Sequence, residues 1–142
     1  TICPLKPWSY SWVRQNMNLL LDTHVLLWAL DNDPLLSPAP RNAIIDGNNI
    51  VFVSAATAWE IAIKKALGKL RAPTSNYLEE LRRHRFTPLD ITSEHALAVE
   101  DLPPHHADPF DRMLVAQAQI EKLTLITRDS RIQAYNVRTI KA

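Results

Sequence analysis

The chain has one cysteine, Cys3, in 142 residues. A single thiol excludes an internal disulfide and any cysteine-based zinc cluster, and makes a reducing cytoplasm the expected compartment. Net charge is nearly absent too: the formal balance is +1, which by itself marks neither a nucleic-acid binder nor a membrane-surface protein. No apolar run approaches the roughly 18 residues that a membrane span requires. No stretch combines the charged end, apolar middle and small-residue cleavage site of a signal peptide. Repeats, low-complexity tracts and interdomain linkers are also missing. What is left is one ordinary domain, 46% apolar, long enough to bury roughly two-thirds of its unfolded surface.

The small net charge hides an uneven distribution. Lys64 to Arg85 carries seven Lys and Arg against two Glu, whereas Phe86 to Asp129 carries three basic residues against eight acidic ones. Two solvated faces of opposite sign would account for this. A fold that joins the two stretches would instead set a basic surface beside an acidic pocket, an arrangement suited to a polyanion handled through cations.

Apolar runs bounded by turn residues alternate with segments of helical period, the pattern of a parallel sheet covered by helices. Strands are predicted at Asn18 to Leu21, Ile50 to Val53, Thr87 to Ile91 (an edge, because of Pro88) and Leu123 to Thr127, with a short extended end around Val137 to Ile140. Ile50 to Val53, apolar without alternation, is expected to be buried on both faces. Helices are predicted at Thr23 to Leu30, Pro38 to Ile45, Ser54 (N-cap) to Leu67, Thr74 to Arg83, Ser93 to Asp101, Pro109 to Lys122, and as a turn from Ser130. In the third of these the apolar stripe is read as Trp59, Ala62, Ile63, Ala66 and Leu67, with Glu60 on its border. In the Thr74 to Arg83 helix the stripe is Tyr77, Leu78 and Leu81. Residues 1–16 have no clear period and read as a peripheral extension, with the domain spanning 17–142.

In an open parallel sheet, sites form in the crevice at the carboxyl ends of the strands. Asp22 ends the first strand and Asp129 follows the last clear one, although each could simply cap the next helix. Glu60 could be an exposed partner of Lys64 at i+4. Asp108 with Pro109 has a sufficient structural explanation as a helix start. Asp111 does not, because Leu114, Val115 and Ala118 follow it at i+3, i+4 and i+7. It lies in line with the buried face, where a carboxylate is costly unless a cation or several donors answer it. Four acids on one sheet edge would repel one another, and a divalent cation would relieve this. Oxygen ligands suit Mg2+ or Mn2+. A zinc site built on His24, His105 and His106 is the alternative, weakened by the lack of a regular His pair or a second cysteine.

Four stretches, MNLLLDTHVLLWAL (17–30), VSAATAWEIAIKKALGKL (53–70), HADPFDRMLVAQA (106–118) and LTLITRD (123–129), together resemble the PIN-domain nucleases, and within them the VapC-type toxins of bacterial toxin–antitoxin pairs. The resemblance implies an α/β/α sandwich with a central parallel sheet. It also implies an acidic pocket for Mg2+ or Mn2+ and endoribonuclease activity on structured RNA such as tRNA or rRNA. Carried over by motif, Asp22, Glu60, Asp111 and Asp129 are the catalytic and metal-binding acids. Thr127 and Asp108 are accessory, and Lys64, Lys65, Lys69 and Arg71 are expected to bind RNA. A VapB-like antitoxin and a homodimer are implied as partners. The segment before Met17 departs from the pattern. A DNA nuclease or phosphatase on the same acids, or a degenerate PIN module that only binds, are the competing readings.

Overall fold

The computed structural model describes residues 16–71 and 76–142. All but the last residue of the expected extension at 1–16 falls outside the described residues, as does the expected helix start at Thr74. Five strands, β1 (Asn18–Leu21), β2 (Ile50–Ser54), β3 (Thr87–Leu89), β4 (Thr124–Thr127) and β5 (Thr139–Lys141), form one sheet in the order β3-β2-β1-β4-β5. Every neighbouring pair is parallel, so each connection must cross over the sheet, and helices make the crossings. They are α1 (Thr23–Leu30), α2 (Pro38–Ile45), α3 (Ala55–Ala66), α4 (Tyr77–Arg83), α5 (Ser93–Ala98), α6 (Pro109–Glu121) and α7 (Ser130–Gln133). The expected α/β/α sandwich is the observed fold.

The layers follow from the period of two along β1. Leu19, Leu20 and Leu21 are all fully buried. Leu19 and Leu21 join Val25, Leu26, Ile44, Ile61, Leu81 and Phe86 in one core. Leu20 faces the other way and joins Leu114, Val115, Ala118, Leu125 and Ile132 in a second. β1 is thus the central strand, with apolar side chains toward both helical layers.

Local chemistry sets the element ends. Ser54 accepts a hydrogen bond from the Ala56 amide and starts α3, and Gly68, at φ +72°, follows the helix with a backbone that a side chain would strain. α6 stops one residue before expectation, because Lys122 takes a left-handed conformation that turns the chain at once into β4. The helix expected over Ser93 to Asp101 is α5 followed by a 3₁₀ turn at Val99–Asp101.

Three packing expectations are corrected. The buried face of α3 is Ala56, Thr57, Glu60 and Ile61. The apolar Trp59 and Leu67 are exposed, as are Ala62 and Ala66. Ile61 is the one large apolar side chain that α3 buries, beside the small Ala56 and Thr57, while Trp59 lies on the outer side. In α4, Leu81 is buried but Leu78 is 62% exposed. In β2, Ile50 is 49% exposed at the open amino end of the strand.

At that amino end lies a cleft of about 680 Å³, lined by Leu30, Leu36, Ile44, Ile45, Ile50 and Phe86 and also by Arg41 and Arg85. The carboxyl end holds a different pocket. From β1 the chain runs outward to β2 and β3 on one side and then crosses back to β4 and β5 on the other, so the carboxyl edge opens beside β1 into a crevice.

Candidate active site

A pocket of about 500 Å³ opens at the carboxyl edge, and Asp22, Glu60, Asp108, Asp111 and Asp129 all line it. All four of the expected principal acids are thus brought together from four separate segments.

Asp22 ends β1 and caps α1, its Oδ1 accepting from the Val25 amide at 2.9 Å. Its backbone N–H donates to the Ile126 carbonyl at 3.2 Å, which fixes the turn against β4. Burial raises its carboxyl above the ordinary range, and hydrogen bonds from the Thr127 hydroxyl and the Val25 amide oppose the rise. Thr127 is fully buried and its Oγ1 also accepts from the Asp129 amide at 3.0 Å. It therefore ties the first and last acids to one hydroxyl.

Glu60 is only 4% exposed. Thr23 Oγ1 donates to its Oε1, and Lys64 Nζ lies 2.5 Å from its Oε2. The i+4 pair is real, yet it is no surface pair: Glu60 and Lys64 line the pocket together, and the bond holds the Lys64 ammonium above its usual range.

Asp108 caps α6, its Oδ1 accepting from the Phe110 amide at 2.8 Å and the Asp111 amide at 3.0 Å. Asp111 takes no part in a reciprocal cap. Its carboxylate turns into the pocket, where the contact is His106 Nε2 at 3.0 Å. Burial pushes Asp111 up to about 7, and the charges of Asp108, Asp22, Glu60 and Asp129 add to this. One turn of helix thus separates a carboxylate satisfied by backbone amides from one surrounded by like charge.

Asp129 caps α7 through the Arg131 amide at 2.9 Å. Its Oδ2 meets His106 Nε2 at 2.9 Å and Arg131 Nη2 at 3.1 Å. Burial acts to raise its carboxyl, but the Arg131 side chain and amide and His106 outweigh it, and the carboxyl sits below its usual range. Both oxygens are already engaged, unlike those of Asp111.

The remaining candidates divide. Lys64 lines the pocket, and Lys65, Lys69 and Arg71 do not. Of the three histidines, His24 and His106 line it, while His105 packs edge-on against Tyr135 at 4.9 Å. The structure adds Trp28, Arg128 and Arg131 to the wall. Arg128 stacks over the Trp28 ring at 4.3 Å and donates through Nε to the Ala142 carbonyl at 2.9 Å. Arg128 and Arg131 stand beside the last acid in the LTLITRD stretch and its continuation, a signal that the basic run at 64–85 overshadowed.

The family model for the PIN domain matches residues 19–137. Ribonuclease VapC22 of Mycobacterium tuberculosis is 30% identical over 120 residues, covering 82% of this chain and 91% of that protein. Ribonuclease VapC16 of the same organism is 40% identical over 58 residues, 39% of this chain and 41% of that one. VapBC2 from Rickettsia felis, solved on a promoter DNA fragment, shares the fold at a TM-score of 0.65 and 16% identity, over 88% of this chain and 98% of that one. DNA-bound VapBC from Salmonella typhimurium does so at 0.61 and 18%, over the same shares of each chain. With a match across nearly the whole described domain and a relative spanning most of both chains, the protein belongs to the PIN-domain family, in its VapC-type branch.

Proposed function

We propose that the chain is a metal-dependent endoribonuclease toxin that hydrolyses RNA phosphodiester bonds and is restrained by a VapB-like antitoxin in the cytoplasm. The observation that carries the reading is the convergence of Asp22, Glu60, Asp111 and Asp129 on one pocket, with Asp111 pushed up to about 7 by burial and like charge. A donor set of carboxylate oxygens fits Mg2+ or Mn2+, and the raised Asp22 and Asp111 are the groups a cation would relieve most. Both would hold it directly. Glu60, already bonded to Lys64 and Thr23, and Asp129, bonded to Arg131 and His106, would support it at longer range or through water.

A bound divalent cation supplies a water of lowered pKa and neutralises charge on the scissile phosphate. The chain's own groups do the rest. Lys64, Arg128 and Arg131 rim the pocket and offer cationic contacts to backbone phosphates. Lys65, Lys69 and Arg71 would extend this path along and beyond α3. The Arg128–Trp28 stack keeps a guanidinium fixed at the mouth.

Two VapBC complexes share the fold, which supports a VapB-like antitoxin as partner, and a homodimer is proposed with it. Among the described residues no helix is long and apolar enough to cross a membrane.

The deciding experiment incubates wild type and Asp22→Asn with tRNA, rRNA, duplex DNA and a phosphomonoester, with Mn2+ and with EDTA. The proposal expects Mn2+-dependent internal cuts in RNA alone, lost in the variant. Equal cleavage of DNA would favour the general nuclease reading. Undiminished RNA cleavage by Asp22→Asn would remove the assignment of that acid.

A further inference from the structure

We infer that His106 is a positioning residue: its Nε2–H bridges the Asp111 and Asp129 carboxylates, and the fold keeps its ring nitrogens from ligating the cation. The inference rests on the metal-centre reading above and adds to it a rule for which atoms the pocket offers.

By distance alone His106, Asp111 and Asp129 form a group able to hold a metal ion. The wiring of the imidazole argues otherwise. His106 Nδ1 receives the backbone N–H of Asp108 at 3.1 Å. An amide nitrogen can only donate, so the Nδ1 lone pair is occupied and the neutral ring carries its proton on Nε2. That proton faces Asp129 Oδ2 at 2.9 Å and Asp111 Oδ2 at 3.0 Å. A metal-bound histidine has the reverse arrangement, with one bare nitrogen on the ion and the other nitrogen donating outward. Here the outward nitrogen accepts.

The ring cannot easily turn over to change this. His106 is 7% exposed, and its own amide donates to Tyr135 Oη at 3.0 Å. The loop before it is held by Arg112, whose Nη1 donates to the Pro103 carbonyl at 2.9 Å and to Tyr135 Oη at 3.1 Å. Nη2 of Arg112 donates to the Val99 carbonyl at 3.0 Å and the Leu102 carbonyl at 3.3 Å. The HADPFDR stretch therefore gives four of its seven residues a task in the site. His106 bridges two carboxylates, Asp108 caps the helix and supplies the amide that selects the tautomer, Asp111 faces the pocket, and Arg112 fixes the loop. Two consequences follow. The carboxylates of α6 and of the β4–α7 turn keep one spacing despite their mutual repulsion, and the His106–Asp111–Asp129 group presents oxygen donors alone to a cation, which favours Mg2+ and Mn2+ over zinc.

His95 provides an internal control. Its Nδ1 accepts from the Thr92 amide at 3.1 Å and its Nε2 pairs with Glu121 Oε2 at 2.8 Å, the same wiring remote from the pocket.

The test is long-range 1H–15N NMR of the imidazoles in uniformly labelled full chain, first with EDTA and then through a Mg2+ titration, with His106 assigned by the signal missing from His106→Gln. The expected result is a protonated Nε2 and bare Nδ1 for His106 before and after Mg2+, matching His95. Transfer of the His106 proton to Nδ1, or loss of the Nε2 proton on adding Mg2+, overturns the inference. Calorimetry with Mn2+ gives a second reading. His106→Ala should bind Mn2+ about 10–100-fold more weakly than wild type, and His106→Gln, which retains an amide donor, should recover part of the loss. Mn2+ binding by wild type with unchanged affinity in His106→Ala overturns this inference alone. No Mn2+ binding by wild type overturns the metal-centre reading and this inference with it. If His106→Ala fails to fold, the wild-type spectra and His106→Gln still decide the matter.

Discussion

The two edges of the sheet are built from the same strands and have opposite characters. At the amino edge the cleft has an apolar floor of Leu30, Ile44, Ile45, Ile50 and Phe86, with Arg41, Arg85 and a single carboxylate, Asp46, also lining it. At the carboxyl edge five carboxylates, two arginines, Lys64 and two histidines line the pocket. The difference follows from what a strand end can do. At the carboxyl edge the chain turns into helix N-termini, and Asp22, Asp108 and Asp129 are all used as caps there. Carboxylates recruited to satisfy orphan amides are thereby gathered in one crevice. The amino edge receives helix C-termini, whose orphan groups are carbonyls, and Asp46 is the one acid lining its cleft. Capping and pocket-building are therefore one task at the carboxyl edge, and treating them as alternatives understates what these aspartates do.

Substitutions can sharpen the contrast. The largest effect is expected from Asp111→Asn and Asp22→Asn. Losing a cation ligand removes several kcal/mol of transition-state stabilisation, on the order of a thousandfold in RNA cleavage rate. Single-turnover cleavage at saturating Mn2+ measures it.

Next comes stability. The folded Asp111 carboxyl titrates at about 7, against 3.8 for an ordinary aspartate. Between these values the native state binds more protons than the unfolded one, so wild-type stability without metal falls as pH rises through the window. Asp111→Asn escapes the fall and should be more stable than wild type above pH 7 by on the order of 2 kcal/mol, with the gap closing toward pH 4. Urea melts in EDTA at several pH values would contradict this if the gap were constant.

A smaller effect concerns metal affinity. Protons compete for Asp111 below its value, so wild-type Mn2+ affinity should rise roughly tenfold from pH 6 to pH 8. A flat profile by calorimetry would mean that Asp111 is no ligand. Charge reversal of Lys69 and Arg71 should be milder still, lowering the salt slope of RNA binding by about one for each phosphate left without its cation. Finally, Ile50→Asp in the amino-edge cleft should leave RNA cleavage unchanged. Any drop in cleavage by that variant, with its melting temperature intact, would show that the two edges are coupled.

Much of this is legible in the residues. β1 and β4 are short strands with apolar centres, Leu19 to Leu21 and Leu125 to Ile126, and their ends place Asp22 and Asp129 on one edge. Asp111 is distinguishable from Asp108 because Leu114, Val115 and Ala118 put it on the buried line. α3 departs from expectation because period alone cannot say which of two apolar faces a helix buries. Trp59 and Leu67 dominate the apolar stripe, yet the small Ala56 and Thr57 allow the closer approach. The same ambiguity sets Glu60 on a border in the sequence when it is buried at 4% exposure in the fold. His106 is visible in the sequence only as a zinc alternative, because its partner Asp129 lies 23 residues away and its tautomer depends on a backbone amide. Arg112 likewise acts on carbonyls of a loop whose path no local pattern reveals.

The order of strands in the sheet has a consequence for the newly made chain. β1, the first strand, pairs with β4, among the last to be synthesised, through Leu19–Thr124, Leu20–Leu125 and Leu21–Ile126. A ribosome that has released the chain only as far as α6 has delivered Asp22, Glu60 and Asp111, but neither Asp129 nor the strand that closes the sheet beside them. The carboxylate cluster is therefore assembled late, through pairings of high sequence separation that form slowly. A copy that ends within α6, past Asp111, carries three of the four principal acids and none of the completed pocket.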